Sequence, residues 1–230
     1  MHILFTKKLE KKLVAEKIGG LLSYEFAEVI RITHLELEPF DLKNKSLIFT
    51  SVNGVRSFFE NKFQPNEDFT KENFNKIYAV GKKTKAELRK HGFGTFKVTR
   101  HASELSDFIT NKASREKFLH FCGNLALDIF DKKLSLQNIW YKKVPLYRTE
   151  LLYPELKTDF HAVVFFSPSG VQSFIKNNSL VGKIIFSIGY TTEKELKKHT
   201  KQKIHTSKES NLEDLLNLIS ATVAPKIKCL

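Results

Sequence analysis

The chain contains one pair of motifs twice, and this repetition limits the folds that it can adopt. Residues 48–58 (IFTSVNGVRSF) recur 116 positions later (167 minus 51) as residues 164–174 (VFFSPSGVQSF). Residues 79–84 (AVGKKT) recur 108 positions later (189 minus 81) as residues 187–192 (SIGYTT). Two copies are too few for a solenoid, so the repeat predicts two similar domains that face one ligand.

Apolar β-like runs alternate with amphipathic helical runs along the chain. The first strand is predicted at 3–5 and the first helix at 9–18, with Gly19 and Gly20 ending that helix. The first copy is eight residues longer between its motifs (116 minus 108), and the polar loop 61–75 is the expected insertion. Strand followed by helix throughout predicts a parallel α/β architecture with right-handed crossovers. Further predicted strands are 46–50, 77–80, 96–98, 119–122, 162–166, 183–188 and 204–205, with 26–37 and 144–152 extended. Further predicted helices are 54–63, 83–91, 105–110, 125–132, 171–176, 193–199 and 212–219.

The formal net charge of +13 in 230 residues is the strongest compositional feature. It favours a polyanionic partner: nucleic acid, an anionic membrane, or a small ligand rich in carboxylate or phosphate. The lysines are scattered as pairs and form no basic tail, so a solvated surface is an equally good interpretation. No window approaches about 18 uninterrupted apolar residues, which predicts no membrane span. Cys122 and Cys229 are far apart and lack CxxC spacing, which fits a reducing cytosol.

The duplicated motifs predict a ligand site at the carboxyl ends of the strands, where parallel α/β domains bind their ligands. Serine and asparagine cap helices, glycine lets the backbone approach a ligand, and free N–H groups at a helix start favour an anion. Each position taken singly also fits an ordinary cap or turn, and its recurrence in both copies favours the site. The candidate ligand-binding residues are Ser51, Asn53, Gly54, Gly81, Thr84, Ser167, Ser169, Gly170, Gly189, Thr191 and Thr192.

Familiar catalytic patterns do not accompany these motifs. GxGxxG after a strand, GxxxxGK[ST], HExxH and GxSxG are all absent. The histidines show no spacing typical of a metal site, so no metal is predicted. His91 and His199 are equivalent in the repeat, but each lies at a predicted helix end, where it is expected to complement the helix dipole.

Five segments in order resemble the uroporphyrinogen-III synthase family over essentially the full chain: 49–55, 80–84, 144–149, 166–171 and 188–192. The resemblance implies two flavodoxin-like parallel α/β domains joined by a two-stranded linker. In this family the first domain contains both ends of the chain, and the middle forms the second. The implied bounds are 1–33 plus 154–230 for the first domain, 40–141 for the second, and 34–39 with 142–153 for the linker.

The resemblance also implies a reaction in heme biosynthesis. The linear tetrapyrrole hydroxymethylbilane loses water, inverts its last pyrrole ring and closes to uroporphyrinogen III, without a metal or organic cofactor. The substrate carries an acetate and a propionate on every pyrrole, which suits a basic chain. The hydroxyl of its hydroxymethyl group leaves readily, so the main task is to position the reacting ring, and few catalytic side chains are needed. The implied enzyme is a cytoplasmic monomer that binds neither nucleic acid nor membrane.

Tyr147 matches the linker tyrosine of this family in its Tyr-x-Thr pattern. Its phenol would hydrogen-bond the departing hydroxyl or orient the leaving water, whereas the alternative is a tyrosine that packs between domains. Thr84, Thr191 and Thr192 match family threonines, whose hydroxyls would bind carboxylates or help the leaving group.

One segment departs from the family pattern. Residues 122–124 (CGN) follow the predicted fifth strand, where the family more usually has Arg-Gly. The charge contact expected from that arginine is therefore in question, and Lys8 or Lys143 is the candidate to replace it.

Two other classes of protein stay open on the sequence alone. A non-enzymatic two-domain protein that clamps an anionic ligand shares every repeat feature, although it needs no tyrosine in its linker. A nucleic-acid-binding protein fits the charge but predicts clustered lysines and exposed stacking aromatics. Most of the 20 phenylalanines lie at core-periodic positions instead.

Overall fold

The chain forms two compact units in the computed structural model. The first is Met1–Arg31 with Glu150–Leu230, and the second is Ile32–Thr149. The structure describes residues 1–18, 22–66, 68 and 74–227. The predicted helix end at Gly19 and Gly20, Cys229 and most of the tip of the predicted insertion lie outside the described residues.

Strands and helices alternate along most of the described chain. The strands are β1 (His2–Phe5), β2 (Ser23–Phe26), β3 (Ile30–His34), β4 (Ser46–Phe49), β5 (Ile77–Val80), β6 (Lys97–Thr99), β7 (Phe118–Gly123), β8 (Tyr141–Leu151), β9 (Ala162–Phe165), β10 (Ile184–Ser187) and β11 (Ile204–Thr206). The helices are α1 (Lys11–Ile18), α2 (Val52–Glu60), α3 (Lys82–Lys90), α4 (Ala102–Lys112), α5 (Ile129–Ser135), α6 (Pro168–Ile175), α7 (Tyr190–Leu196) and α8 (Leu212–Ile227).

The sheet of the first unit has the order β11-β10-β9-β1-β2, and every neighbouring pair is parallel. Ile3 and Phe5 belong to the core cluster that includes residues of α1 and α8. Leu4, between them, belongs to the opposite cluster, with Phe165 of β9 and Phe174 of α6. Both faces of the sheet are therefore covered, which explains why residues 3–5 of β1 are all apolar rather than alternating with polar residues.

The other sheet has the order β3-β8-β7-β4-β5-β6, and it belongs to the second unit except for the start of β3 and the end of β8, which lie in the first. The pairs from β8 to β6 are parallel. Beyond the two ends of the β3–β8 pair, Leu35 N–H donates to the Leu146 carbonyl at 2.9 Å and Leu152 N–H donates to the Val29 carbonyl at 3.0 Å. Residue 29, before β3, is thus bonded to residue 152, and residue 35, after β3, is bonded to residue 146. Advancing along one strand means going back along the other, so β3 and β8 run antiparallel.

These sheets confirm the predicted parallel α/β class. Strand β2 is not predicted from the sequence, because Ser23–Phe26 (SYEF) has polar residues at alternate positions and no uninterrupted apolar run. It also starts α5 four residues early: the Ala126 N–H donates to the Gly123 carbonyl at 3.1 Å in a turn, and the helix begins at Ile129. Among the described residues, no helix is both long and apolar enough to cross a membrane.

Candidate functional site

The β4–α2 and β9–α6 junctions have the same local geometry in their separate units. Ser51 is extended (φ −152°), and its Oγ accepts a hydrogen bond from the Gly54 N–H at 3.0 Å. Ser167 is extended (φ −160°), and its Oγ accepts from the Gly170 N–H at 3.0 Å. Each serine satisfies one of the free amides of a helix start, as the sequence predicts for a cap. The remaining amides of that turn lie at the carboxyl edge of the sheet, where an anion is favoured.

The next residues of these two junctions differ in how much space surrounds them. Asn53 and Ser169 occupy the second positions of α2 and α6 and are partly exposed, so their polar side chains can reach a ligand. Gly54 is closely enclosed, since a Cβ there would lie 2.7 Å from the Phe121 carbonyl oxygen. Gly170 has more room, because its nearest neighbour would be Ser167 Oγ at 3.2 Å.

The β5–α3 and β10–α7 junctions contain the other predicted residues. Gly81 has a φ of +87°, a conformation that favours glycine, whereas Gly189 is extended and buried. Thr84 and Thr192 are 3% and 1% exposed. Thr191 is exposed, so it is the one of the three predicted threonines that lies at the surface.

Tyr147 of β8 lies beside the first junction. Its phenol oxygen is 2.9 Å from Ser51 Oγ, and either atom can be the donor. A bulge between Cys122 and Gly123 shifts the register so that Gly123 pairs with Tyr147. A Cβ at Gly123 would lie 2.5 Å from Tyr147 Cζ, so the ring occupies space that only a glycine leaves open. The candidate catalytic tyrosine and the candidate cap are thus brought together from positions 96 residues apart.

The protonation state of Tyr147 follows from its surroundings. Burial raises the pKa of the phenol above its usual value, and the hydrogen bond with Ser51 opposes this rise only in part. The phenol is therefore neutral at physiological pH and can donate a proton or a hydrogen bond. This arrangement suits a group that assists the departure of a hydroxyl.

A buried polar network lies in the same sheet and was not predicted. His120 Nε2 is 2.9 Å from Thr50 Oγ1, and its Nδ1 is 2.8 Å from the Tyr141 hydroxyl. His120 is 1% exposed, and burial, with a smaller contribution from Lys143, lowers its pKa to about 3. The histidine is therefore neutral. Its position inside an otherwise apolar strand was the available sequence signal, since such a residue needs hydrogen-bond partners.

Lys143 is one of the two candidates to replace the family's arginine near residues 122–124, but its charge is already paired. Its Nζ lies 2.6 Å from Asp128 Oδ1 and 2.6 Å from Asp131 Oδ2, so two carboxylates offset its charge. Cys122 is buried, and burial raises the pKa of its thiol to about 11. Cys122, which stands where the family more usually has an arginine, is therefore neutral. Lys8, the other candidate, is exposed.

A second polar contact also recurs in both units. Glu87 accepts a hydrogen bond from Arg56 Nε at 2.7 Å, and Glu195 accepts one from Gln172 Nε2 at 3.0 Å. These residues occupy equivalent positions of the repeat, and each pair joins consecutive helices. Glu87 and Glu195 are 7% and 8% exposed, so each pair is a mostly buried contact between two helices.

Comparison with known proteins gives a consistent result. A family model described as uroporphyrinogen-III synthase HemD matches residues 21–217. The uroporphyrinogen-III synthase of Saccharomyces cerevisiae is 31% identical over 149 residues. That alignment covers 52% of this chain and 54% of the yeast protein, so the match spans about half the length of that relative.

Solved structures resemble the whole chain. A uroporphyrinogen-III synthetase from Helicobacter pylori has a TM-score of 0.62 at 20% identity, and the match covers 96% of this chain and 99% of that one. A mutant uroporphyrinogen III synthase from Thermus thermophilus has a TM-score of 0.68 at 14% identity, and the match covers 99% of each chain. At these identities the likeness shows a shared fold and no more.

Proposed function

The chain belongs to the uroporphyrinogen-III synthase family, and we propose that it catalyses the conversion of hydroxymethylbilane into uroporphyrinogen III. In this reaction the hydroxymethyl group loses its hydroxyl as water, the last pyrrole ring is inverted, and the macrocycle closes. The observation that carries the proposal is the 2.9 Å contact between Tyr147 and Ser51 at the start of α2. It places a neutral phenol beside free helix amides, and the reaction uses both.

The proposed role of Tyr147 is to assist the leaving group. The pyrrole nitrogen supplies the electron pair that expels the hydroxyl, and the departing oxygen needs one proton to leave as water. The Tyr147 phenol donates its proton to that oxygen as the C–O bond breaks, and the phenolate regains a proton from the one that the substrate releases on ring closure. The Ser51 hydroxyl, 2.9 Å away, can donate to the phenol oxygen and stabilise the charge that then forms there.

The proposed binding groups are those predicted from the repeat. The helix-start amides around Gly54 and Gly170, with Asn53 and Ser169, bind substrate carboxylates in each unit. Gly81 and Gly189 begin the second pair of helices and are assigned the same role. Thr191 is exposed and binds a carboxylate directly, whereas Thr84 and Thr192 are buried and contribute by shaping their helix starts.

Analysis of the product isomers tests the proposal. Purified protein is incubated with freshly prepared hydroxymethylbilane, the product is oxidised, and the isomers are separated by chromatography. We expect the III isomer in excess over a protein-free control, in which spontaneous closure gives the I isomer. If only the I isomer forms, the enzymatic proposal is wrong. Tight binding of the substrate without any III isomer would then favour the non-enzymatic binding protein.

The finer predictions on partners follow the same proposal. A tetrapyrrole polycarboxylate is the proposed ligand, and the cytoplasmic location and monomeric state stay predictions. Sedimentation at several protein concentrations tests the monomer. Retention on DNA that salt abolishes and hydroxymethylbilane does not affect would favour nucleic-acid binding instead.

A further inference from the structure

Asn124 holds the backbone of β8 on both sides of Arg148. Its Oδ1 accepts from the Thr149 N–H at 2.7 Å, and its Nδ2 donates to the Thr149 carbonyl at 3.3 Å. Its own N–H donates to the Tyr147 carbonyl at 3.2 Å. One residue thus holds three backbone groups of a three-residue segment of β8.

These contacts lie where the regular pairing of β7 with β8 is interrupted. Cys122 pairs with Pro145, but Gly123 pairs with Tyr147, so one residue of β8 is skipped at the bulge. A bulge leaves part of the ladder unpaired and redirects the following side chains. The side chain of Asn124 makes up for this loss, because it supplies a donor and an acceptor to Thr149 beyond the last β7–β8 partner.

We propose that Asn124 is a positioning residue, which holds Tyr147 over Gly123 with its phenol 2.9 Å from Ser51. We assign Asn124 no contact with the substrate. It acts through its hydrogen bonds to the backbone of Tyr147 and Thr149. The inference rests on the proposed function for its effect on turnover, but its structural part is independent of that function. Thr149 is also the last residue of the second unit, so the same contacts fix the backbone where the chain leaves that unit.

The chain offers a matched control in the same unit. Asn75 also holds three backbone groups: its Nδ2 donates to the carbonyls of Leu42 and Lys45 at 2.7 Å and 2.8 Å, and its Oδ1 accepts from the Asn66 N–H at 2.8 Å. It precedes β5, at the amino edge of the sheet. Asn75→Ala removes three side-chain bonds, one more than Asn124→Ala, which loses the two bonds to Thr149 and keeps the bond from its own N–H to Tyr147. It is therefore the more disruptive of the two changes, and it does not touch the carboxyl edge.

The kinetic test compares Asn124→Ala with Asn75→Ala under conditions in which both are folded. We expect Asn124→Ala to lower kcat about tenfold, since small misplacement of a reacting group is costly, with KM within about twofold of the original. Asn75→Ala is expected to lower thermal stability at least as much and to keep kcat within about twofold. A kcat for Asn124→Ala within twofold of the original, or an equal loss in Asn75→Ala, overturns the inference. If Asn124→Ala does not fold, Asn124→Asp replaces it, since aspartate keeps the acceptor for the Thr149 N–H. We expect Asn124→Asp to lower kcat about threefold, and a kcat within twofold of the original overturns the inference.

A spectroscopic test separates this inference from the proposed function. The protein is labelled with ¹³Cζ-tyrosine, and the Tyr147 resonance is assigned from its loss in Tyr147→Phe. We expect this resonance to shift or broaden in Asn124→Ala and to stay in place in Asn75→Ala. An unchanged resonance in Asn124→Ala overturns the positioning role even if the protein makes the III isomer. A shifted resonance in a protein that makes only the I isomer supports the positioning role while the proposed function fails.

Discussion

At the scale of single residues, the phenol of Tyr147 differs from that of Tyr141, which is also partly buried, in its hydrogen-bond partner. Tyr141, on the same strand, is hydrogen-bonded to His120 inside the sheet, whereas Tyr147 meets a serine that already caps a helix. The first contact satisfies a buried group. The second places a proton donor beside the start of a helix, and this difference is why we propose a ligand there.

We expect Tyr147→Phe to lower kcat about 10- to 100-fold and to leave KM within about twofold. In the proposed mechanism the phenol acts on the departing hydroxyl and not on the carboxylates, and general acid assistance is worth about this much or more. Initial rates of III-isomer formation across substrate concentrations give both constants. Tyr141→Phe is the matched control and should keep its kcat. An unchanged kcat in Tyr147→Phe would remove this residue from the mechanism.

His120 gives a prediction for stability against pH. Its pKa is about 3 in the folded protein and about 6.5 when unfolded, so between these values the unfolded state binds one more proton. The free energy of unfolding therefore falls as the pH drops from about 6.5 towards 3. We expect this group to account for a loss of about 2 kcal/mol between pH 6.5 and 4.5.

Urea unfolding at these two pH values, in the original protein and in His120→Gln, measures that loss. The glutamine can still bridge Thr50 and Tyr141 but does not titrate. The carboxylates whose pKa values are lowered, such as Glu87, act in the same direction in both proteins. The difference between the two proteins isolates the histidine. Equal pH dependence in both would contradict its neutral, buried state.

At the scale of elements, the strand-to-helix junctions could be predicted from the sequence because each is a local event. An apolar run ends, a serine caps the next helix, and a glycine follows three residues later, as at Ser51 and Gly54. The environment of Tyr147 could not be predicted in this way. It depends on the bulge after Cys122, on the missing side chain of Gly123 and on Asn124, which are tertiary relations between two strands. Residues 122–124 showed only as a departure from the family pattern.

The two equivalent glycines of α2 and α6 should respond differently to alanine. Alanine favours a helix by about 1 kcal/mol over glycine, but a Cβ at Gly54 would lie 2.7 Å from a backbone oxygen that cannot move freely. At Gly170 the nearest atoms belong to side chains, Ser167 at 3.2 Å and Val29 at 3.3 Å. We expect Gly54→Ala to cost about 1–3 kcal/mol of unfolding free energy and Gly170→Ala to stay within about 1 kcal/mol of zero.

Denaturant unfolding checks this pair of variants. Trp140, the only tryptophan, lies in the second unit with Gly54, so its fluorescence follows that unit, while circular dichroism follows both. The urea midpoint by fluorescence should fall in Gly54→Ala. Equal shifts for the two substitutions would mean that the Phe121 backbone yields more easily than its contacts indicate.

At the scale of the whole molecule, the charge has to be read together with the ion pairs. The net charge is +13, but several cations are already matched: Lys143 with two aspartates, and Arg56 with Glu87. The remaining excess is spread over both units rather than collected in one tail. Such a distribution attracts a polycarboxylate from a distance without fixing its pose, which the helix starts and hydroxyl groups are proposed to do.

This division of roles predicts a specific dependence on salt. Long-range attraction between exposed charges is screened over about 10 Å at 0.1 M ionic strength, whereas hydrogen bonds at the site are screened much less. Raising sodium chloride from about 0.05 M to about 0.5 M should therefore raise KM about tenfold and change kcat less than twofold. Steady-state assays at several salt concentrations measure this, with sucrose as the uncharged control. A fall in kcat at constant KM would place the salt-sensitive charges in the chemical step, and the net charge would then serve catalysis rather than capture of the substrate.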